Sequence, residues 1–197
     1  MSKSDDVYKY VASATYRIHN SGNNRAAALA RLRRGVGKPP GASPEVWEYT
    51  LAELPESLAG KAGEPSEAEW AIHLALTLFA LHQQGNSDLV ISQKILFGQA
   101  VSSLIDSNKN NESGIKARFD AALTAKNINE FANHARGLVQ LMRAKKVNMD
   151  YPLFAKDLFD YQFVDSQDRV RLRWGEAYYR INTSTEQGEE TEGEENE

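Results

Sequence analysis

The chain holds 197 residues, 41% of them apolar, with 27 acidic and 23 basic side chains and no cysteine. That length supports one substantial core, or two small helical ones sharing an interface, and without cysteine neither a disulfide framework nor a thiolate metal site exists. The net charge of −4 hides an asymmetry: seven of the 27 acidic residues fall in the last twelve positions, which carry no cation, and without them the balance turns to +3. A mildly basic body with an acidic tail differs from a uniformly acidic protein in the partners it can meet.

The first ten residues, MSKSDDVYKY, lack the basic-then-apolar pattern of a secretory leader. A first helix opens at Asp5 and Asp6, with Val7, Tyr10, Val11, Ala14 and Ile18 on one face, and stops at Asn20 to Asn23. A second begins at Arg25. Ala26 to Ala28, Leu29 and Leu32 favour helix; Leu29, Leu32 and Val36 fall on one line, with Arg31 and Arg34 on the far side and Arg33 flanking. Gly35 and Gly37 suit its C-terminal end, and Pro39-Pro40 forbids continuation. Ser43 and Pro44 then start a third, with Val46, Trp47 and Leu51 as its buried side.

After a Gly-, Pro- and Glu-rich loop (54–65), Ser66 and Glu69 form a capping box ahead of a helix that runs to a stop at Gly85. Leu74, Leu76, Leu78, Phe79 and Leu81 spread around it, so neighbours must surround it. Its apolar run, Trp70 to Leu81, is too short to span a bilayer and is broken by His73, so the protein is expected to be soluble and cytoplasmic, with no membrane partner. A loop and then a helix from about Gly98 follow, and the polar stretch Asn108 to Ser113 marks a boundary. Four more helices are predicted beyond it. Their buried positions are Ile115, Phe119, Ala122 and Leu123; Ile128, Phe131, Ala135, Leu138 and Met142; Leu153, Leu158 and Phe159; and Val170, Trp174, Ala177 and Tyr178. No alternating β-branched run of strand length appears. The fold class is all-α, an N-terminal helical subdomain (1–107) packed on a C-terminal four-helix bundle (113–183), with the composition of a disordered acidic tail over 184–197.

The sequence offers no catalytic constellation. It has no HExxH and no Gly-x-Ser-x-Gly; Gly35-x-Gly37-Lys38 is followed by Pro39 where a phosphate loop needs Ser or Thr; and of the four scattered histidines, the two on one helix, His73 and His82, are nine apart, not the four apart that two ligands on one face need. No cofactor or metal is expected. The cations are more informative. Between Arg25 and Glu45 there is no acidic residue, leaving Arg25, Arg31, Arg33, Arg34 and Lys38 without a local partner. Unpaired guanidinium on a helix suits phosphate, which its planar fork binds bidentately. In the second half Arg136 and Arg143, seven apart, share a solvent-facing stripe; Lys145 and Lys146 extend it, and Lys116 and Arg118 flank an apolar face on opposite sides. Arg169, Arg171 and Arg173 fit ion pairing with Asp165 and Asp168 as well as they fit an anion site. Trp47, Tyr49, Trp70, Trp174, Tyr178 and Tyr179 sit at positions a core would want and are read as packing residues.

Five stretches carry a resemblance: ALARLRRG (28–35), PEVW (44–47), EWAIHLALTLFALHQQG (69–85), MDYPLFAKDL (149–158) and RLRWGEAYY (171–179). In this order they resemble CasB, the small subunit of the type I-E CRISPR Cascade complex, over roughly residues 20–182. The resemblance implies a non-catalytic subunit present beside a second copy of itself. It would contact the large subunit and the subunits lining the guide, and grip target and displaced strands of an R-loop through arginine and lysine. Single-stranded DNA and the guide-RNA/DNA hybrid are then the nucleic-acid partners. The family's basic positions match Arg25, Arg31, Arg33 and Arg34, and Lys116, Arg118, Arg136 and Arg143. In LFGQA (96–100), Phe97 stands where a smaller, more polar residue is expected. Two other classes remain: a helical adaptor that binds only protein, and an enzyme whose site leaves no motif.

Overall fold

Ser2, one turn ahead of the predicted start, begins the first helix: its hydroxyl accepts from the Asp5 amide at 3.2 Å while the Asp5 carboxylate accepts from the Ser2 amide at 3.3 Å. The computed structural model describes residues 2–192, with side chains described as far as Arg180; the tail read over 184–197 lies outside those described side chains. The helices are α1 (Lys3–His19), α2 (Arg25–Arg34), α3 (Trp47–Thr50), α4 (Glu67–His82), α5 (Phe97–Ser102), α6 (Glu112–Leu123), α7 (Ile128–Lys145), α8 (Tyr151–Tyr161) and α9 (Val164–Glu192). The described residues contain no strand, only isolated bridges such as Ile91 to Met149. All-α is the observed class.

The expected capping box at α4 is present: the Ser66 hydroxyl accepts from the Glu69 amide at 3.0 Å and the Glu69 carboxylate from the Ser66 amide at 2.8 Å. Thirteen of the 16 residues of α4 are buried, which makes it the central post. Helices α1, α2, α7 and α8 all pack on it. Helix α8 also lies along α1, and α5 lies along α9, so helices from both sides of the polar stretch at 108–113 contribute to one continuous apolar cluster.

Phe97 is the hub of that cluster's aromatic centre. It is 1% exposed, with ring centroids 5.1 Å from Phe154, 5.2 Å from Trp174, 5.8 Å from Phe131 and 6.0 Å from Phe119. The next residue, Gly98, explains how the hub closes: a methyl there would lie 1.8 Å from the carbonyl oxygen of Trp174, so only glycine lets α5 meet the α9 backbone. Between α4 and α5 the chain is tied down by Asp150, the N-cap of α8, whose carboxylate accepts from the amides of Leu153 (2.9 Å) and Lys94 (2.8 Å). Trp47 departs from expectation. It is 40% exposed and hangs by a 3.1 Å bond from its indole N–H to the Pro40 carbonyl, while Val46 takes the buried place. Among the described residues no helix is long and apolar enough to cross a membrane.

Candidate nucleic-acid interface

Helix α2 is only ten residues long and buries Ala28, Leu29 and Leu32. Its arginine face is therefore fixed by how its C-terminal end seats on α4. His73 does this. Buried on α4, its Nε2–H donates to the Gly35 carbonyl at 3.2 Å, and burial lowers its pKa, keeping the ring neutral. A methyl on Gly35 would lie 3.0 Å from Thr77 Cγ2 and 3.2 Å from Val46 Cγ1, so the helix end is in tight contact with its support. Gly37, at φ +77°, then turns the chain away.

Three arginines meet around the turn after α4. Arg25 and Arg33 line a cleft of about 370 Å³ with Gln84, Gly85 and Asn86. From the other half of the chain Arg143 of α7 reaches the same turn, its Nη1 donating to Gln84 Oε1 at 2.9 Å. Arg25 is steadied by a 3.0 Å bond from Nη2 to the Ser87 carbonyl. Partial burial and the like charge of Arg143 both lower the pKa of Arg33, and no carboxylate lines the cleft. Further along α7, Arg136 lies over Gly37, where a methyl would sit 3.9 Å from its Nη1. The Arg118 guanidinium of α6 rests against Gly137, with Nη1 3.7 Å from where a methyl would be. Arg34 is exposed, and neither it nor Arg33, Arg118 or Arg136 has a carboxylate within ion-pair distance among the described residues.

Other expected positions are engaged within the fold. Arg31 is the correction: it pairs with Glu48 at 3.0 Å and approaches the Tyr49 hydroxyl, so its lack of a partner within its own stretch of chain does not leave it unpaired. Lys116 pairs with Asp120 one turn on, at 2.6 Å. Lys145 donates to the Leu104 carbonyl at 2.7 Å and pairs with Asp106, tying α7 to the segment after α5. Lys38 donates to the Ser43 hydroxyl at 3.2 Å. Lys146 is exposed in a left-handed conformation at the end of α7. Within the undecided group, Arg173 pairs with buried Asp157, and Arg171 pairs with Asp168 and lies 5.5 Å from the centroid of the Tyr161 ring. Trp174 and Tyr178 are core, as expected, whereas Tyr179 is 53% exposed. Gln84, a neutral residue with no charge pattern to flag it, is the member that sequence reading passes over.

Fold and cleft together define an all-α protein in which α2 and the turn after its central post line a cationic cleft, with Arg143 of α7 bonded to that turn. The family model of the CRISPR-associated protein Cse2 matches residues 28–179, and the chain belongs to that family. The structure of CasB from Thermobifida fusca is similar at a TM-score of 0.70 and 28% identity, covering 89% of this chain and 96% of that one. CasB from Thermus thermophilus shares the fold at a TM-score of 0.64 and 23% identity, covering 91% and 99%. So does a structure described as a CRISPR RNA-guided surveillance complex, at a TM-score of 0.74 and 20% identity, covering 92% and 99%. No curated protein sequence matches.

Proposed function

We propose that this chain is the non-catalytic small subunit of a type I-E Cascade surveillance complex and grips nucleic-acid backbone to stabilise the R-loop. The observation that carries the reading is that Arg25 and Arg33 from α2 line one carboxylate-free cleft, and Arg143 from α7 bonds to Gln84 on its wall. Arg34, Arg118 and Arg136 extend the cationic surface. Membership of the Cse2 family, and the shared fold with a chain of an RNA-guided surveillance complex, support the setting. There it would stand beside a second copy, the large subunit and the subunits lining the guide. Opening the duplex against the guide is a near-balanced exchange, so a few phosphate contacts on the target and displaced strands decide whether the opened state persists.

Fluorescence anisotropy with labelled single-stranded DNA of two base compositions tests the reading. Phosphate-dominated binding is expected to weaken by one to several orders of magnitude between about 50 and 200 mM salt, equally for both compositions. No binding at either salt would assign the arginines to protein partners and make the chain an adaptor.

A further inference from the structure

We propose that the cleft between α2 and the turn after α4, at whose rim Arg143 of α7 is bonded to the lining residue Gln84, seats one phosphodiester of the bound strand, and that Gln84 holds Arg143 in place until a phosphate oxygen displaces it. This rests on the nucleic-acid reading above and adds to it a single seat, its members, and a neutral residue that governs access.

Arg33 is partly buried in the cleft, feels the like charge of Arg143, and has no carboxylate beside it there; an anion seated in the cleft, within reach of Arg143 at the rim, relieves that repulsion. The amide oxygen of Gln84, 2.9 Å from Arg143 Nη1, occupies the kind of acceptor position a phosphate oxygen would take, but carries no charge. Gln84 itself is exposed and free to swing away, unlike neighbouring Gln83, a buried residue whose side-chain amide is held by the carbonyls of Asn86 and Asp88 and the amide of Val90. The cleft's roughly 370 Å³ equals the liquid volume of about a dozen waters, enough for a phosphate with part of its sugar. Because Arg33 and Arg143 come from opposite halves of the chain, a strand seated there contacts both halves through one phosphate. Arg25, fixed at the cleft's other end by Ser87, is placed for the neighbouring linkage.

Gln84→Glu is the decisive variant: nearly isosteric, on an exposed position, it puts a carboxylate where the amide was and fills the seat from within. Anisotropy with labelled single-stranded DNA at low salt is expected to show at least about a ten-fold loss of affinity, the scale of one charge-assisted contact. Asn110→Glu, the same charge change on an exposed loop residue after α5, is expected to cost less than about two-fold once screened. Arg33→Gln/Arg143→Gln is expected to lower affinity and reduce the salt slope by about one, and adding Gln84→Glu on that background should then cost no more than Asn110→Glu does. Melting temperatures of all variants check the fold. If wild type binds DNA steeply with salt but Gln84→Glu matches Asn110→Glu, the seat is wrong and the broader reading stands; if wild type binds no DNA, both fall. Inorganic pyrophosphate that raises the melting temperature of wild type but not of Gln84→Glu, with no DNA bound, would assign the cleft to a free phosphate and overturn the strand seat.

Discussion

Asp157 is 0% exposed, yet it carries a carboxylate into the bundle. Its Oδ2 accepts from the Trp174 indole N–H at 2.6 Å, and its other oxygen pairs with Arg173. Burial nevertheless prevails over both partners and pushes its pKa up to about 6. The folded state therefore holds this proton more tightly than the unfolded chain does. As pH rises from about 4 through 6, Asp157 removes up to about 3 kcal/mol of stability, and acidification restores it. Buried His82 acts in the opposite sense. Burial lowers its pKa to about 4, so the fold loses stability as pH falls from the unfolded value near 6.5 toward 4, and His73 adds to that loss. Only a difference between variants isolates Asp157. Asp157→Asn mimics the protonated acid, so its melting temperature relative to wild type is expected to be higher at about pH 7.5 than at about pH 4.5. A relative gain on acidification instead would mean that Arg173 outweighs burial.

At the scale of elements, the junction of α5 with α9 is the most demanding contact. Gly98→Ala drives a methyl into the Trp174 backbone carbonyl and is expected to cost about 3 kcal/mol or more, seen as a lower melting temperature and a loss of near-ultraviolet ellipticity from the buried indole. Gly175 is the matched control: it lies on α9 with nothing near its missing methyl, so Gly175→Ala is expected to stabilise by about 0.5–1 kcal/mol. Equal effects at both positions would refute the close approach. These elements were mostly legible in the sequence because their signals are local. The Ser66–Glu69 box, the all-round apolar pattern of α4 and the seam of α7 act over a few residues. Phe97 was not legible in the same way: its place as hub depends on helices that start 15 or more residues later. Nor was the pairing of Arg31, whose partner Glu48 arrives from the next helix.

On the scale of the whole molecule, the candidate site is a meeting of stripes that sequence places one helix at a time. Periodicity puts Arg33 beside the apolar line of α2 and Arg143 on the outer face of α7, but over 100 residues separate them, and only their common packing on α4 sets their relative rotation. The overall charge is by contrast wholly readable, and it sets a long-range test. Deleting residues 186–197 removes seven carboxylates and no cation, changing the net charge from −4 to +3. Uniform charge acts on encounter more than on the bound contacts, so the truncated chain is expected to associate with single-stranded DNA several-fold faster at low salt. Its dissociation rate should match wild type. Since the screening length falls to about 8 Å near physiological ionic strength and less beyond, the difference should shrink steadily as salt is added. Stopped-flow association at increasing salt measures it. A gain that persists undiminished at high salt would show the glutamates acting at contact range on the cationic face, and no gain at low salt would place them beyond the reach of its field.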